Sequence, residues 1–279
     1  MSDLASKHAA LKEVLHAYDS LAIAFSGGVD STLLLAVAHE VLGDTIAAVS
    51  ASVPMTPSEE LSWAQDFCKE QEIRHIICSV DVFLYEEVKN NAPNRCYVCK
   101  KALFSSMKEA AVKAGFALIA DGTNCDDLKA YRPGLRALEE LSVVSPLQEA
   151  GLSKADIRAL SKELGLSTWN KQSNACLATR FPYGTTLEED RLKQIDAMET
   201  RIRNEGFGSV RLRVYDSLVR IELDPTQMAQ FCEWEYLSTI KRALHDMGIV
   251  YITLDLEGFR SGSMDYSLSE SDKKGTAHG

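Results

Sequence analysis

The sequence predicts an α/β fold in which a doubly wound parallel sheet is followed by a smaller C-terminal α+β domain. Strand-length apolar runs alternate with segments of helical spacing through the N-terminal part of the chain. A Ser-Gly-Gly loop joins the first of these strands to its helix. Closer to the C-terminus the spacing becomes that of a helix, a hairpin, a helix and a strand. Alternating strands and helices are typical of a parallel sheet, whereas a hairpin is an antiparallel pair.

The first domain is predicted over residues 1–168. Pro57 is placed to begin one of its helices, since proline is favoured at the first helical position. Ligands bind parallel sheets beyond the carboxyl ends of the strands, so the loops at Ser26, Ser50 and Asp121 are expected to form a site. The predicted strands cover 21–25, 46–49, 74–80 and 116–120, and the predicted helices cover 4–18, 32–38, 57–71 and 100–114.

The second domain is predicted over residues 169–267, and the polar tail 268–279 is expected to be disordered. A helix is predicted over 187–204, a hairpin over 210–223, a helix over 226–247 and a strand over 249–254.

The hairpin separates apolar from basic side chains. With Asp216-Ser217 as a two-residue turn, Leu212 lies opposite Ile221 on one face, while Arg213 lies opposite Arg220 on the other. Opposed arginines repel each other unless an anion lies between them, so this face is a candidate phosphate or carboxylate site. A solvated face with ordinary ion pairs is an equally good interpretation of the pattern.

Composition and charge narrow the class of protein. The formal net charge of −10 argues against tight nonspecific binding to nucleic acid. No signal peptide and no apolar run of membrane length is seen, so we expect a cytoplasmic protein with no membrane partner. The seven irregularly spaced cysteines indicate chemistry or burial rather than a disulfide framework, and Cys68, Cys78 and Cys232 lie in apolar patterns that predict core positions.

The loop Ser26-Gly27-Gly28-Val29-Asp30-Ser31 predicts a phosphate site. It connects an apolar strand to a helix N-terminus, where free backbone N–H groups and the helix dipole attract anions. The glycines permit close approach of the backbone, the serines add hydroxyl donors, and Asp30 can hold Mg²⁺, with Asp126 and Asp127 as runners-up. The loop is neither a Walker A nor a dinucleotide-binding fingerprint. It resembles the pyrophosphatase loop of the adenine nucleotide alpha-hydrolase superfamily, whose members split ATP into AMP and pyrophosphate.

A Cys-x-x-Cys, formed by Cys96 and Cys99, lies at the predicted start of the 100–114 helix, where the dipole favours thiolates. Cys176 lies in a comparably polar loop. Three thiolates suit an iron-sulfur cluster with one free iron, while a Cys₃His zinc site and buried structural thiols remain alternatives.

Four segments together resemble the LarE family, the ATP-dependent sulfurtransferases of nickel-pincer nucleotide biosynthesis that serve the maturation of lactate racemase. These segments are 26–31, 127–135, 176–185 and 254–261. The resemblance implies ATP at the 26–31 loop, sulfur delivery at Cys176, and substrate contacts at Arg180, Arg211 and Arg213. It matches Glu199 and Glu222 less closely as further substrate-binding positions. It also implies pyridinium-3,5-biscarboxylic acid mononucleotide as the substrate, a sulfide donor system as a partner, and a homo-oligomer. The presence of all three cysteines favours a [4Fe-4S] cluster on Cys96, Cys99 and Cys176.

Sulfur cannot replace a carboxylate oxygen directly, because the leaving group would be oxide. ATP with Mg²⁺ would convert the carboxylate into an acyl adenylate, and sulfur would then displace AMP. A sacrificial Cys176 that gives up its own sulfur is the alternative source. A tRNA thiolation enzyme with the same loop is a second alternative, and a nonenzymatic nucleotide sensor is a third.

Overall fold

A computed structural model describes residues 3–129, 134–172 and 175–260. The predicted tail 268–279 and part of each of the segments 127–135 and 254–261 lie outside the described residues. Contacts divide the chain into one unit of Met1–Tyr85 with Cys96–Asn174 and a second unit of Glu86–Arg95 with Ala175–Gly279. The boundary after residue 168 remains a prediction, and no sequence pattern indicated that residues 86–95 belong with the second unit.

The first unit is built on a parallel sheet, as predicted. Its strands are β1 (Leu21–Ala24), β2 (Ile46–Ser52), β3 (His75–Ser79) and β4 (Ile119–Ala120), which in the described residues have the order β3-β2-β1-β4. All the pairings are parallel. Val144 adds a further parallel bridge beside Ala120, which no strand-length apolar run had indicated.

Alternate residues of the strands pack into two separate cores. Leu21 and Ile23 of β1 belong to one buried cluster, whereas Ala22 between them belongs to another. Helices therefore cover both faces of the sheet, as a doubly wound fold requires. The helices of the chain up to residue 163 are α1 (Asp3–His16), α2 (Val29–Leu42), α3 (Ser58–Glu70), α4 (Glu86–Lys89), α5 (Arg95–Lys113), α6 (Gly134–Glu140), α7 (Pro146–Glu149) and α8 (Lys154–Glu163).

The helix of the Cys-x-x-Cys begins earlier than predicted. Helix α5 starts at Arg95, so Cys96 and Cys99 lie within its first turns rather than before it. The five residues Arg95–Cys99 are too few to show a helical period by themselves, so the pattern placed the start at residue 100.

The second unit contains α9 (Glu189–Asn204), β5 (Arg211–Tyr215), β6 (Leu218–Glu222), α10 (Met228–Glu233), α11 (Leu237–Asp246) and β7 (Tyr251–Leu254). The predicted hairpin register is confirmed, including Leu212 opposite Ile221 and Arg213 opposite Arg220. Asp216 takes a positive φ of 47° in the two-residue turn. Strand β7 pairs in parallel with β6.

The single helix predicted over 226–247 is wrong. The chain forms a short turn at Pro225–Gln227 and then the separate helices α10 and α11. The interruption lies at Trp234, whose ring packs against Phe207 and Phe231. A tertiary aromatic contact of this kind leaves no trace in helical periodicity.

Candidate active site

The 26–31 loop has the local structure of an anion cradle. Gly27 has φ of +70°, a conformation that side chains rarely adopt, and a Cβ there would meet the Trp63 ring at 3.0 Å. Helix α2 then begins at Val29, with Gly28 as its N-cap and no side chain capping it. The Ser31 hydroxyl donates to the Gly28 carbonyl at 3.2 Å and lies 3.1 Å from the Ser26 hydroxyl. The loop therefore leads directly into a helix N-terminus that attracts negative charge.

The loop opens into a cavity of about 320 Å³ within the first unit. One part of its wall is apolar and suits a nucleobase, and the rest is polar and suits phosphates and a metal ion. The predicted loops at Ser26, Ser50 and Asp121 all reach this cavity. The apolar lining includes Leu61, Leu103, Phe104 and Met107, and the polar lining includes Ser26, Asp30, Ser31, Ser50, Lys100, Asp121 and Asp127.

Asp30 is held by side chains from a distant part of the chain. Lys154 Nζ lies 2.5 Å from Asp30 Oδ2, and Asn124 Nδ2 donates to Asp30 Oδ1 at 3.4 Å. The backbone N–H of Lys154 donates to Asp126 Oδ2 at 2.9 Å. The Lys154–Asp30 pair is partly exposed, with side-chain exposures of 37% and 25%. Both side chains are therefore accessible to solvent, and the Lys154 ammonium group lies directly beside the Asp30 carboxylate.

A second lysine reaches the glycine side of the same loop. Lys171 Nζ donates to the Gly27 carbonyl at 2.9 Å and to Glu60 Oε2 at 2.7 Å. The same ammonium group lies 4.8 Å from the centre of the Trp63 ring. Positive charges thus flank the loop at both ends.

Cys176 lies in an exposed position at the start of a turn over Leu177–Arg180. Arg180 is fully buried and makes a bidentate pair with Glu199, through Nε to Oε1 at 3.0 Å and Nη2 to Oε2 at 2.8 Å. Its Nη1 donates to the Ala175 carbonyl at 2.6 Å and to the Cys176 carbonyl at 3.2 Å. Arg180 therefore binds the backbone carbonyls directly before and after the Cα atom of Cys176. Its contact with substrate stays a prediction.

The arginine face of the hairpin is buried rather than solvated. Arg211 and Arg213 are 3% and 4% exposed, and Glu222 is fully buried. Glu222 lies between the opposed arginines and accepts from Arg213 through Oε2 at 3.0 Å and from Arg220 through Oε1 at 2.9 Å. Burial contradicts the solvated part of the alternative interpretation, whereas its ion pairs are present: a protein carboxylate supplies one of the anions that the opposed arginines require.

The pKa values of Glu199 and Arg211 are shifted by burial and by the neighbouring charges of the cluster. Burial raises the pKa of Glu199, but the charge and hydrogen bonds of Arg180 outweigh it and hold the pKa below its ordinary value. Burial, together with the charge of Arg180, lowers the pKa of Arg211 to about 10. The Arg211 guanidinium also lies 5.1 Å from the centre of the Phe259 ring. The charge of Glu199 opposes this lowering of the Arg211 pKa.

Comparison with known proteins gives a match along nearly the whole chain. The chain is 39% identical over 271 residues to the pyridinium-3,5-bisthiocarboxylic acid mononucleotide synthase of Lactiplantibacillus plantarum, covering 97% of this chain and 98% of that protein. The chain belongs to the LarE family. It is also 38% identical to an uncharacterized protein of Synechocystis sp., over 96% of this chain and all of that protein.

More distant matches cover only part of this LarE protein. Residues 8–92 match the asparagine synthase family model. A subunit of the glutamine-hydrolyzing GMP synthase of Thermoplasma volcanium is 29% identical over 52% of this chain and 51% of its own length. The family places the chain among ATP-using sulfurtransferases. None of the described helices has the length and apolar character to span a membrane.

The cysteines of this LarE protein are divided between the two units. Cys96 is exposed and Cys99 partly exposed in the first unit, whereas Cys176 belongs to the second. In the described part of the chain, no group of three His, Cys, Asp or Glu side chains is placed to hold a metal ion. Cys68 is buried as predicted, and burial raises its pKa to about 12. Cys232 is exposed, so its predicted core position is wrong.

Sequence patterns did not place Lys100, Lys154 and Lys171 at the cavity or its loop, to which they bring positive charge. Isolated lysines in polar segments have no spacing that distinguishes them. The capping box of α8, in which the Ser153 and Asp156 side chains bond each other's backbone N–H groups, could have fixed Lys154 at a helix start. It could not have revealed that this start lies against Asp30.

Proposed function

We propose that this LarE protein uses ATP to adenylate the carboxylates of pyridinium-3,5-biscarboxylic acid mononucleotide and then replaces oxygen by sulfur. The products are thiocarboxylates that supply the nickel-pincer nucleotide cofactor. The observation that carries the proposal is the 39% identity to the Lactiplantibacillus plantarum synthase across 97% of the chain, which includes both the 26–31 loop and Cys176.

Activation by ATP is required because oxide is too poor a leaving group for sulfur to displace from a carboxylate. The substrate carboxylate attacks the α-phosphorus of ATP, and the bond to pyrophosphate breaks. Sulfur then attacks the acyl carbon, and AMP leaves with the former carboxylate oxygen. The helix N-terminus at Val29 supports the first step because its N–H groups stabilise the charge that develops on pyrophosphate.

Three side chains around the 26–31 loop have different proposed roles towards the phosphates of ATP. Asp30 would hold Mg²⁺, which supplies charge neutralisation on the phosphates when bound. We propose that Lys154 then turns from Asp30 to the departing pyrophosphate, since a partly exposed pair is weak and easily exchanged. Lys171 would keep the Gly27 carbonyl turned away from the phosphates, so that the N–H groups of the loop face them.

The buried arginine cluster is proposed to receive the mononucleotide phosphate. Arg211 and Arg213 lie on the same strand β5, and Arg213 Nη1 also donates to the Thr179 carbonyl of the Cys176 turn at 2.6 Å. A phosphate bound to these guanidinium groups would thus lie in the same unit as Cys176. Glu199 and Glu222 hold Arg180 and Arg213 in place, and in this role they act on substrate indirectly.

Cys96, Cys99 and Cys176 are proposed to hold a [4Fe-4S] cluster. The three thiols are free of disulfides and at least partly exposed, and thiolates are the donors that such clusters use. Cys96 and Cys99 lie three positions apart on α5, so their side chains share a face of that helix. When bound, the cluster would supply sulfide to the activated carboxyl group.

The test is reconstitution with purified protein, ATP, Mg²⁺, sulfide and the biscarboxylic mononucleotide. We expect pyrophosphate and AMP in equal amounts, and a product whose mass corresponds to exchange of oxygen for sulfur. Omission of sulfide should leave pyrophosphate release intact. Pyrophosphate release that does not require the mononucleotide, or a product without sulfur, would contradict the proposal.

A further inference from the structure

Asn91 connects the segment 86–95 to the turn that follows Cys176, inside the second unit. It is fully buried and has a positive φ of 50°. Its Nδ2 lies 3.0 Å from the Phe181 carbonyl and 2.8 Å from the Pro182 carbonyl, with the Ala178 carbonyl at 3.4 Å. One side-chain amide therefore lies within hydrogen-bond distance of three carbonyl groups in the turn that follows Cys176.

The backbone of the same segment adds to this attachment. The Gly184 N–H donates to the Asn91 carbonyl at 3.1 Å, and the Leu187 N–H donates to the Lys89 carbonyl at 2.7 Å. The Arg95 guanidinium lies 4.4 Å from the centre of the Tyr183 ring. Arg95 is also the first residue of α5, directly before Cys96.

Side-chain donors therefore hold the Cys176 turn from several sides. Arg180 binds the carbonyls of residues 175 and 176, Arg213 binds that of residue 179, and Asn91 binds those of residues 178, 181 and 182. Arg180 and Arg213 belong to the charged cluster described above. Asn91 has no part in that cluster and no role so far in binding or chemistry.

We propose that Asn91 is a positioning residue for sulfur transfer, because its amide fixes the turn on which Cys176 is presented. The inference rests on the proposed role of Cys176. The amide is suited to this task because its two N–H donors face carbonyl oxygens, while Asn91 Oδ1 has no hydrogen-bond partner among the described residues. Asparagine also tolerates the left-handed backbone better than most residues.

The test compares Asn91→Gly, Asn91→Asp and Asn90→Ala in the full-length protein. Glycine adopts positive φ without strain, so Asn91→Gly removes the amide and keeps the backbone conformation. Asn91→Asp is nearly isosteric and turns carboxylate oxygens towards the carbonyls. Asn90→Ala is the matched control, since Asn90 is exposed and contacts Glu86 and Thr186 instead.

We expect Asn91→Gly to lower sulfur transfer at saturating substrates by about tenfold or more, since an error of about 1 Å in placement costs on the order of a hundredfold. Asn91→Asp should lose at least as much. AMP formation in the presence of hydroxylamine, which traps the acyl adenylate, should be unchanged because the ATP site belongs to the other unit. Hydrogen exchange should become faster in peptides covering 177–187, and Asn90→Ala should match the wild type in every assay.

Wild-type sulfur transfer in Asn91→Gly would overturn the inference. So would a parallel loss of AMP formation or failure of both variants to fold, because either would give Asn91 a general structural role. Cys176→Ala separates this outcome from failure of the proposed function. If Cys176→Ala retains sulfur transfer, the role of Cys176 is wrong, while the exchange rates at 177–187 still report whether Asn91 holds the turn.

Discussion

The buried Arg180–Glu199 pair offers the most direct energetic test, through the substitution Glu199→Gln. Both side chains are fully buried and joined by two hydrogen bonds at 3.0 and 2.8 Å. Glutamine keeps the size of the side chain and an oxygen for the Leu212 N–H, which donates to Glu199 Oε1 at 2.8 Å. The substitution therefore removes mainly the charge and leaves the Arg180 guanidinium buried without its counter-ion.

We expect Glu199→Gln to lower the free energy of unfolding by about 3–5 kcal/mol, the usual cost of breaking a buried ion pair from one side. Glu189→Gln, on the same helix α9, is the matched control. Its partner Lys193 is 63% exposed, so this pair should contribute less than about 1 kcal/mol. Urea denaturation measures both values, and hydrogen exchange assigns the loss to the second unit.

The pH dependence of the unfolding free energy tests the same ion pair, and its direction follows from the pKa of Glu199. The folded-state pKa of Glu199 is lowered, so its contribution to stability is fully present above the ordinary glutamate pKa of about 4.3. It is lost as the pH falls through the folded-state pKa. The stability difference between wild type and Glu199→Gln should therefore shrink in acid and remain constant at neutral pH.

A double replacement separates stability from function. Arg180→Met with Glu199→Leu removes both charges, and apolar replacements of a buried pair are often neutral or stabilising. The double variant should thus be more stable than either single variant, yet it should lose sulfur transfer because the Ala175 and Cys176 carbonyls lose their donor. Additive destabilisation by the two substitutions would refute the argument that charge burial sets the energy of this pair.

Four further substitutions test the other sites. Asp30→Ala should abolish AMP formation in a folded protein, and normal AMP production would remove Asp30 from the mechanism. Arg211→Ala and Arg213→Ala should each weaken mononucleotide binding by about tenfold or more, since a charge-assisted hydrogen bond contributes about 1.5–3 kcal/mol, while ATP binding measured by calorimetry should not change. Cys96→Ala should stop sulfur transfer and leave adenylation intact; if transfer persists and Cys176 loses the mass of H₂S after one turnover, sulfur comes from Cys176 itself.

Sequence patterns correctly predicted features that depend on residues close together in the chain. The hairpin register was predictable because apolar side chains alternate on both sides of Asp216-Ser217, and a two-residue turn leaves a single pairing. The 26–31 loop was predictable because strand, glycines and helix follow one another directly in sequence.

The features that sequence patterns missed depend on contacts between segments that are far apart in the chain. In sequence the arginine face of the hairpin fitted an anion site and a solvated surface equally well, and the pattern could not show that Glu199 from α9 and the turn after Cys176 contact strand β5. The positions of Lys154 and Asn91 depend on segments far away in the chain, 124 residues for the first and 87–91 residues for the second. No periodicity within a single element could show these contacts.

The ion pairs in the two units differ in burial, and this difference suits their proposed tasks. The Lys154–Asp30 pair is partly exposed, so it contributes at most about 1 kcal/mol and can be replaced by Mg²⁺ and phosphate at each turnover. The Arg180–Glu199 pair is fully buried and costs about 3–5 kcal/mol to break, so the turn of Cys176 stays in place while substrates come and go. Binding of ATP requires side chains that exchange partners, whereas transfer of sulfur to a short-lived acyl adenylate requires a carrier whose position is already fixed.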